Sequence, residues 1–214
     1  MALAYSASEA SRRYVLDEVR TADRDRFLAA LFAPEPQRGG LLALLAFDHE
    51  LARTRTVTRE PMLARIRLEW WRQAVGEAVG EEKPRAQPVV ESLSETVRRH
   101  KLPQQRLLDL IDAREEEIEG ALDVVAAGHA LADLQLGVLG VADQPTRQAA
   151  RAVGAAWLMG EGPERSALLA EARAQRRTDR AALPILLPAR LLDRPWSAWQ
   201  KPLVLWWSAR RGRY

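Results

Sequence analysis

Helix-forming residues fill this chain almost from end to end, and proline and glycine interrupt them at intervals that are typical of helix boundaries. Alanine, leucine, arginine and glutamate, which favour helix most strongly, make up most of the segments between these interruptions. Runs of alternating β-branched residues, which indicate strands, are missing from the sequence. The chain is therefore predicted to fold as an all-α protein.

The first predicted helix begins near Asp23, with Thr21 or Asp23 as its N-cap, and ends before Pro34. A second helix follows over residues 41–56. Further helices are predicted at 88–101, 104–119, 121–142, 145–160, 164–178, 183–193 and 196–211.

Pro61 is suited to the first turn of another helix, because its fixed backbone angle fits there and its missing N–H is not needed. Within this helix the apolar side chains of Met62, Ile66, Trp70 and Ala74 recur every four residues. This spacing predicts an apolar stripe that packs against the core.

A chain of 214 residues is long enough to bury a sizeable core. The polar segment 80–88 is the longest break between predicted helices and could be a domain boundary. Neither side of it is expected to fold as a domain by itself, so a single helical domain over 1–214 is predicted. Residues 1–20 are expected to be poorly ordered. Residues 195–214 are expected to form a C-terminal helix and tail rich in tryptophan and arginine.

Several functions are excluded by what the sequence lacks. It has no cysteine, which excludes disulfides, thiolate metal sites and a cysteine nucleophile. The three histidines have no zinc-site spacing, and no phosphate-binding glycine motif occurs. The basic segment Arg176–Arg180 has no interleaved aromatics, so no nucleic-acid partner is expected. Without a signal sequence or an apolar run of about 20 residues, a cytoplasmic location is predicted, with peripheral contact at the inner membrane as a further expectation.

Four segments, DRDRFLAALFAP, LLALLAFDHELART, REPMLARIRLEWWRQAV and LLDLIDAREEEI, occur in that order between residues 23 and 118. Their order and wording resemble the squalene/phytoene synthase family. The resemblance implies a helical bundle of the isoprenoid synthase type, here shortened in its C-terminal half. Active members join two prenyl diphosphates, and aspartates on two facing helices hold the Mg²⁺ ions that draw off the diphosphate.

The aspartate positions of the first family motif fall on Ala52, Arg53 and Thr56, so that motif is degenerate here. Asp48 and Glu50 cannot replace it, because residues two apart point about 200° apart around a helix. In the second motif Glu161 and Glu164 are the nearest acids, and glycine and proline interrupt the helix that would present them.

The loss of these aspartates beside a retained RLEWWR segment is similar to a degenerate branch of the family, which resembles the assembly factor of respiratory complex I. That resemblance implies a non-catalytic protein without a cofactor, whose partner belongs to a membrane complex. The alternative is a prenyltransferase with an atypical site that needs Mg²⁺. A third hypothesis is a module that binds a prenyl lipid in the former substrate cavity.

The residues expected to face such a cavity are Asp48, His49, Trp70, Trp71 and Glu161. Because Trp70 and Trp71 are adjacent, they cannot share a helix face, so one is expected to be buried and the other only partly covered. The segment from Arg114 to Glu119, which contains an acidic run, is predicted to be a solvated helix face.

Tryptophan and arginine are concentrated near the C-terminus. Aromatic rings beside cations suit the headgroup zone of a membrane, where an amphipathic helix lies in the plane of the surface. The alternative is a last helix that packs its tryptophans into the bundle. The candidates for membrane or partner contact are Trp199, Trp206, Trp207, Arg210 and Arg211.

Overall fold

The computed structural model describes residues 6–35, 37–57, 60–175 and 177–214, and the side chains of 55–57 and 119 lie outside that description. Within these ranges the protein is an all-α bundle of the isoprenoid synthase type, as predicted. Its helices are α1 (Glu9–Ala22), α2 (Arg24–Ala30), α3 (Gln37–Val57), α4 (Pro61–Val79), α5 (Pro88–His100), α6 (Gln104–Glu119), α7 (Val124–Leu139), α8 (Gln144–Leu158), α9 (Pro163–Ala174), α10 (Leu183–Leu186), α11 (Pro188–Leu191) and α12 (Gln200–Arg211).

Helix α3 runs through the centre of the bundle and contacts α1, α2, α4, α5, α6 and α7. Its residues from Leu41 to Asp48 are all buried, which fits a helix that is apolar on every side. The core also takes in α7 and α8, which are rich in alanine and leucine.

Helices α7 and α8 cross at a pair of glycines. A Cβ atom on Gly128 would lie 2.4 Å from the backbone nitrogen of Ala155, and one on Gly154 would lie 2.5 Å from the carbonyl oxygen of Gly128. Glycine is therefore required at both positions for the two backbones to come this close.

The N-terminal part of the chain differs from expectation, because α1 occupies most of the segment expected to be poorly ordered. Ser8 caps this helix, and Ser11, Val15 and Val19 form its buried stripe at spacings of four. The first predicted helix is confirmed as α2, with Asp23 as its N-cap, although α2 already ends at Ala30.

The apolar stripe predicted on α4 was assigned to the wrong side. Met62 is 72% exposed and Ile66 60% exposed. The opposite side of the helix, with Ala64, Leu68 and Trp71, is buried instead. Ala74, the last residue of the predicted stripe, lies on this buried side, which packs on α5 and α6.

The predicted helix over 183–193 is divided into α10 and α11, with prolines at positions 184 and 188. A proline has no backbone N–H and cannot continue the hydrogen-bond ladder of a helix. The last helix, α12, begins at Gln200 and so is shorter than the predicted 196–211.

Candidate functional site

Asp48 lies on the buried stripe of α3, where it follows Leu41, Leu44 and Leu45 at helical spacing. Its carboxylate accepts a hydrogen bond of 3.0 Å from Nη2 of Arg114 on α6. A second guanidinium, from Arg26 on α2, reaches it at 3.5 Å. One carboxylate thus joins three helices at the centre of the bundle.

Further charged groups complete what we call the central ionic cluster, which consists of Asp23, Arg26, Asp48, His49, Arg114 and Glu117. Arg26 Nε lies 2.5 Å from the Asp23 carboxylate, and Arg114 Nη1 lies 3.1 Å from that of Glu117. His49 Nε2 is 3.5 Å from Arg26 Nη2. All three carboxylates of the cluster are therefore paired with its two arginines.

The arginines keep these buried acids ionised. Burial by itself raises the pKa of Asp48, but the charges of Arg26 and Arg114 outweigh it and hold that pKa below the ordinary value. For Asp23, burial also raises the pKa, while the His49 imidazole, 3.9 Å away, and the hydrogen bonds and charge of Arg26 lower it well below its usual range. Charges paired in this way stabilise the folded chain only while the acids stay deprotonated.

Because both aspartates have a lower pKa in the folded than in the unfolded chain, the unfolded chain takes up protons first as the pH falls. We therefore expect the free energy of unfolding, measured by urea denaturation, to decrease below about pH 5. Asp23→Asn keeps the helix cap but cannot titrate, so its pH dependence is expected to be shallower. An unchanged slope in this variant would contradict the lowered pKa of Asp23.

Glu50, the other acid on this part of α3, is also buried and also neutralised. Arg53 on the same helix and Arg67 on α4 both donate to its carboxylate, each at 3.1 Å. Ala52 offers only a methyl group at one of the motif positions, and the side chain of Thr56 lies outside the described residues.

These residues do not fit a magnesium site. Mg²⁺ needs carboxylate oxygens that converge on one point, whereas Asp48 and Glu50 are bound to different pairs of guanidiniums on different sides of α3. Across the described residues there is no group of three or more acids or histidines able to hold a metal.

The space next to the central ionic cluster is too small for a prenyl chain. A void of about 30 Å³ lies among α2, α3, α7, α8 and α10. Leu45, Leu131 and Trp157 line it, and so does Arg26, which belongs to the cluster. The Arg26 guanidinium also lies over the Trp157 ring, 5.6 Å from its centroid. A void of this volume has room for a few water molecules at most.

Of the predicted cavity residues, Asp48 and His49 come together in the cluster and the other three lie elsewhere. Trp71 is 2% exposed and packs edge-on against Phe47, whereas Trp70 is 36% exposed under the Arg85 guanidinium. The expectation of one buried and one partly covered tryptophan is confirmed. Glu161 is on the surface, where its side chain is 86% exposed and pairs with Arg165, because α8 ends before it.

Sequence reasoning missed the arginines that complete the site. Arg114 is buried, so the prediction of a solvated face was wrong at this position. A signal was present, because Leu107, Leu110, Ile111 and Arg114 follow one another on a single helix stripe. A cation on an apolar stripe of one helix and an anion on that of another indicate a buried ion pair.

The C-terminal candidates lie together on and beside α12. Trp206 and Trp207 are each 50% exposed, and Trp199 is also exposed. The Arg210 guanidinium lies over the Trp206 ring, and that of Arg211 over the Trp207 ring. The expectation that these tryptophans pack into the bundle is therefore not met. Among the described residues, every helix is too short or too polar to span a bilayer.

Comparison with known proteins agrees with this architecture. The squalene/phytoene synthase family model matches residues 19–160, more than half of the chain. The chain therefore belongs to the squalene/phytoene synthase family. No solved structure matches it significantly.

Similar curated proteins from three mammals carry the name NADH dehydrogenase (ubiquinone) complex I, assembly factor 6. The Rattus norvegicus protein is 32% identical over 155 residues, which cover 68% of this chain and 46% of that protein. The Bos taurus protein is 33% identical over 107 residues, which cover 50% of this chain and 32% of that protein. The Homo sapiens protein is 31% identical over 106 residues, with the same coverage. The chain thus spans a third to a half of the length of these relatives.

Proposed function

We propose that this protein is a non-catalytic member of its family that acts, without a metal cofactor, as an assembly factor for a membrane complex of the respiratory complex I type. The observation that carries the proposal is that Asp48 and Glu50, the two buried acids beside the degenerate first motif, are both paired with arginines. In a catalytic member the corresponding region must attract Mg²⁺ and a diphosphate.

The names of the relatives support the second half of the proposal. Proteins about 30% identical to this chain are named for the assembly of complex I. A helical bundle that has only a small void beside Arg26 of its central ionic cluster, and that carries exposed apolar side chains, is suited to binding a partner rather than a small substrate. We propose a protein of that complex as the partner and the membrane surface as the place of action.

The absence of synthase chemistry is tested by calorimetry of the purified chain with Mg²⁺ and a non-hydrolysable farnesyl diphosphate analogue. We expect no metal-dependent binding and no release of diphosphate from farnesyl diphosphate itself. An active family member is the positive control. Steady turnover by this chain would overturn the non-catalytic assignment and support the alternative of an atypical prenyltransferase.

The assembly role is tested by deleting the gene and measuring assembled complex I on native gels together with NADH:ubiquinone activity in membranes. We expect both to fall and to be restored by the wild-type chain. They should also be restored by Ala52→Ser, which leaves the proposed partner surfaces unchanged. Normal levels of complex I in the deletion strain would contradict the role.

A further inference from the structure

An apolar groove lies on the surface where the end of α2 meets α12. Its volume is about 630 Å³, and its lining includes Leu28, Leu31, Phe32, Leu203 and Trp206. Four of these five side chains are exposed, Leu28 being the exception. A cluster of large apolar side chains in contact with solvent is unusual unless it binds something.

The outward side of α12 continues this apolar surface. Trp199, Leu203, Trp206 and Trp207 recur at spacings of three and four residues and so lie on one side of the helix, which we call the outer face of α12. Leu205, on the inner side, is buried against Ala29 and Leu187 and fixes the helix to the bundle. The outer face can therefore be changed without disturbing the core.

The charge around this surface is strongly positive. Residues 194–214 contain five basic residues and no acidic one. Lys201 pairs with Asp25 at 2.7 Å, whereas Arg210 and Arg211 lie over the rings of Trp206 and Trp207. Cations that lie on exposed aromatic rings remain available to an anionic partner.

A basic cleft of about 460 Å³ lies on the other flank of α12, beside Trp207. Among the described residues that line it, none is acidic and four are arginines, Arg173, Arg190, Arg211 and Arg213. Asp193 accepts hydrogen bonds from Arg173 and Arg190, so the other two arginines give the cleft its excess positive charge. A phosphate group is the ligand that such a set of guanidiniums binds best.

We propose that this side of the molecule docks on a bilayer of anionic phospholipid. The groove and the outer face of α12 enter the interfacial zone, and the basic cleft binds a headgroup phosphate. Apolar groove, exposed tryptophans and arginines lie side by side, as the boundary between acyl chains and charged headgroups requires. The inference goes beyond the assembly role and does not depend on it, since it rests on this surface alone.

The test is sedimentation of the full chain with vesicles of phosphatidylcholine alone and with vesicles of an equal mixture of phosphatidylcholine and phosphatidylglycerol. We expect binding to the mixed vesicles that weakens as salt is raised, because salt screens exposed charges. Quenching of tryptophan fluorescence by brominated lipid is expected in the wild type and is expected to decrease in Trp206→Phe.

Matched variants separate this surface from general effects. Arg211→Gln removes one cation and is expected to weaken binding about fivefold, whereas Arg13→Gln, an exposed arginine on α1, should change nothing. Leu203→Ser with Trp206→Ser should weaken it at least tenfold, on the order of the transfer of two large side chains. Met62→Ser with Ile66→Ser removes exposed apolar surface from α4 instead and is the control.

Three results would overturn the proposal. Equal binding to neutral and mixed vesicles would exclude the headgroup site, and equal losses in both double variants would exclude this surface as the specific one. Failure to bind vesicles, together with a dimer in analytical ultracentrifugation that Leu203→Ser abolishes, would give the groove to a second copy of the chain. A further result would separate this inference from the assembly role. If the variant Leu203→Ser with Trp206→Ser loses vesicle binding but supports normal complex I in cells, docking on the bilayer stands and is not needed for assembly.

Discussion

Replacing Arg114 with methionine is expected to lower the free energy of unfolding by about 3–5 kcal/mol. The guanidinium is buried and is the closest partner of the Asp48 carboxylate, at 3.0 Å. Methionine fills much the same space but leaves that carboxylate with only the longer contact from Arg26. Since a domain of this kind has a total stability of about 5–15 kcal/mol, the variant should be near the limit of folding.

Urea denaturation of three proteins tests this prediction. Asp48→Leu combined with Arg114→Met removes both charges and should recover much of the loss, because an apolar pair needs no compensation. The control is Glu77→Gln, which breaks the exposed ion pair with Arg85 on the surface. That change is expected to cost less than about 1 kcal/mol. A loss in Arg114→Met no larger than in Glu77→Gln would show that the central ionic cluster contributes little.

The second large effect is expected from Gly128→Ala, with a loss of about 2–3 kcal/mol in the free energy of unfolding. The added methyl would overlap the backbone of α8 at Ala155 and Gly154, and backbone atoms cannot move aside as the end of a flexible side chain can. Helices α7 and α8 must separate to admit it, which opens the core on both sides of the crossing.

Gly76→Ala provides the matched control, because it is the same substitution within another helix, in the last turn of α4. Nothing lies within 4 Å of a Cβ atom at Gly76. Alanine favours helix over glycine, so this variant is expected to gain about 0.5–1 kcal/mol. The two substitutions should thus shift the thermal midpoint in opposite directions. A midpoint raised in both variants would mean that the α7–α8 crossing is looser than described.

Much of the fold could be predicted, because helix boundaries depend on local residues. Gln104–Glu119 is predicted to the residue, and Asp23 is identified as an N-cap, since a proline or a capping side chain marks such positions. The side of a helix that is buried is a different question. Met62 and Ile66 form a regular stripe, but the neighbours α5 and α6 pack against the other side of α4, which carries Leu68 and Trp71.

The site was predictable only in part. The resemblance to the family predicts where acids are lost, at Ala52, Arg53 and Thr56, because that comparison needs only the order of residues along one helix. The partners of Asp48 come from α2 and α6, 22 and 66 residues away in sequence, and local pattern does not report such contacts. Charged residues on otherwise apolar stripes were the available signal, and pairing them across helices would have indicated Arg114.

Asp48 and Glu50 are each paired with two arginines, and this pairing also limits which single substitutions the folded chain can accept. Arg53→Asp would restore one aspartate of the motif, but it would leave Glu50 with only Arg67 and place a second anion one turn away. This first step back toward a metal site is therefore expected to give a less stable protein, because it removes one of the two guanidiniums that neutralise the buried Glu50 carboxylate.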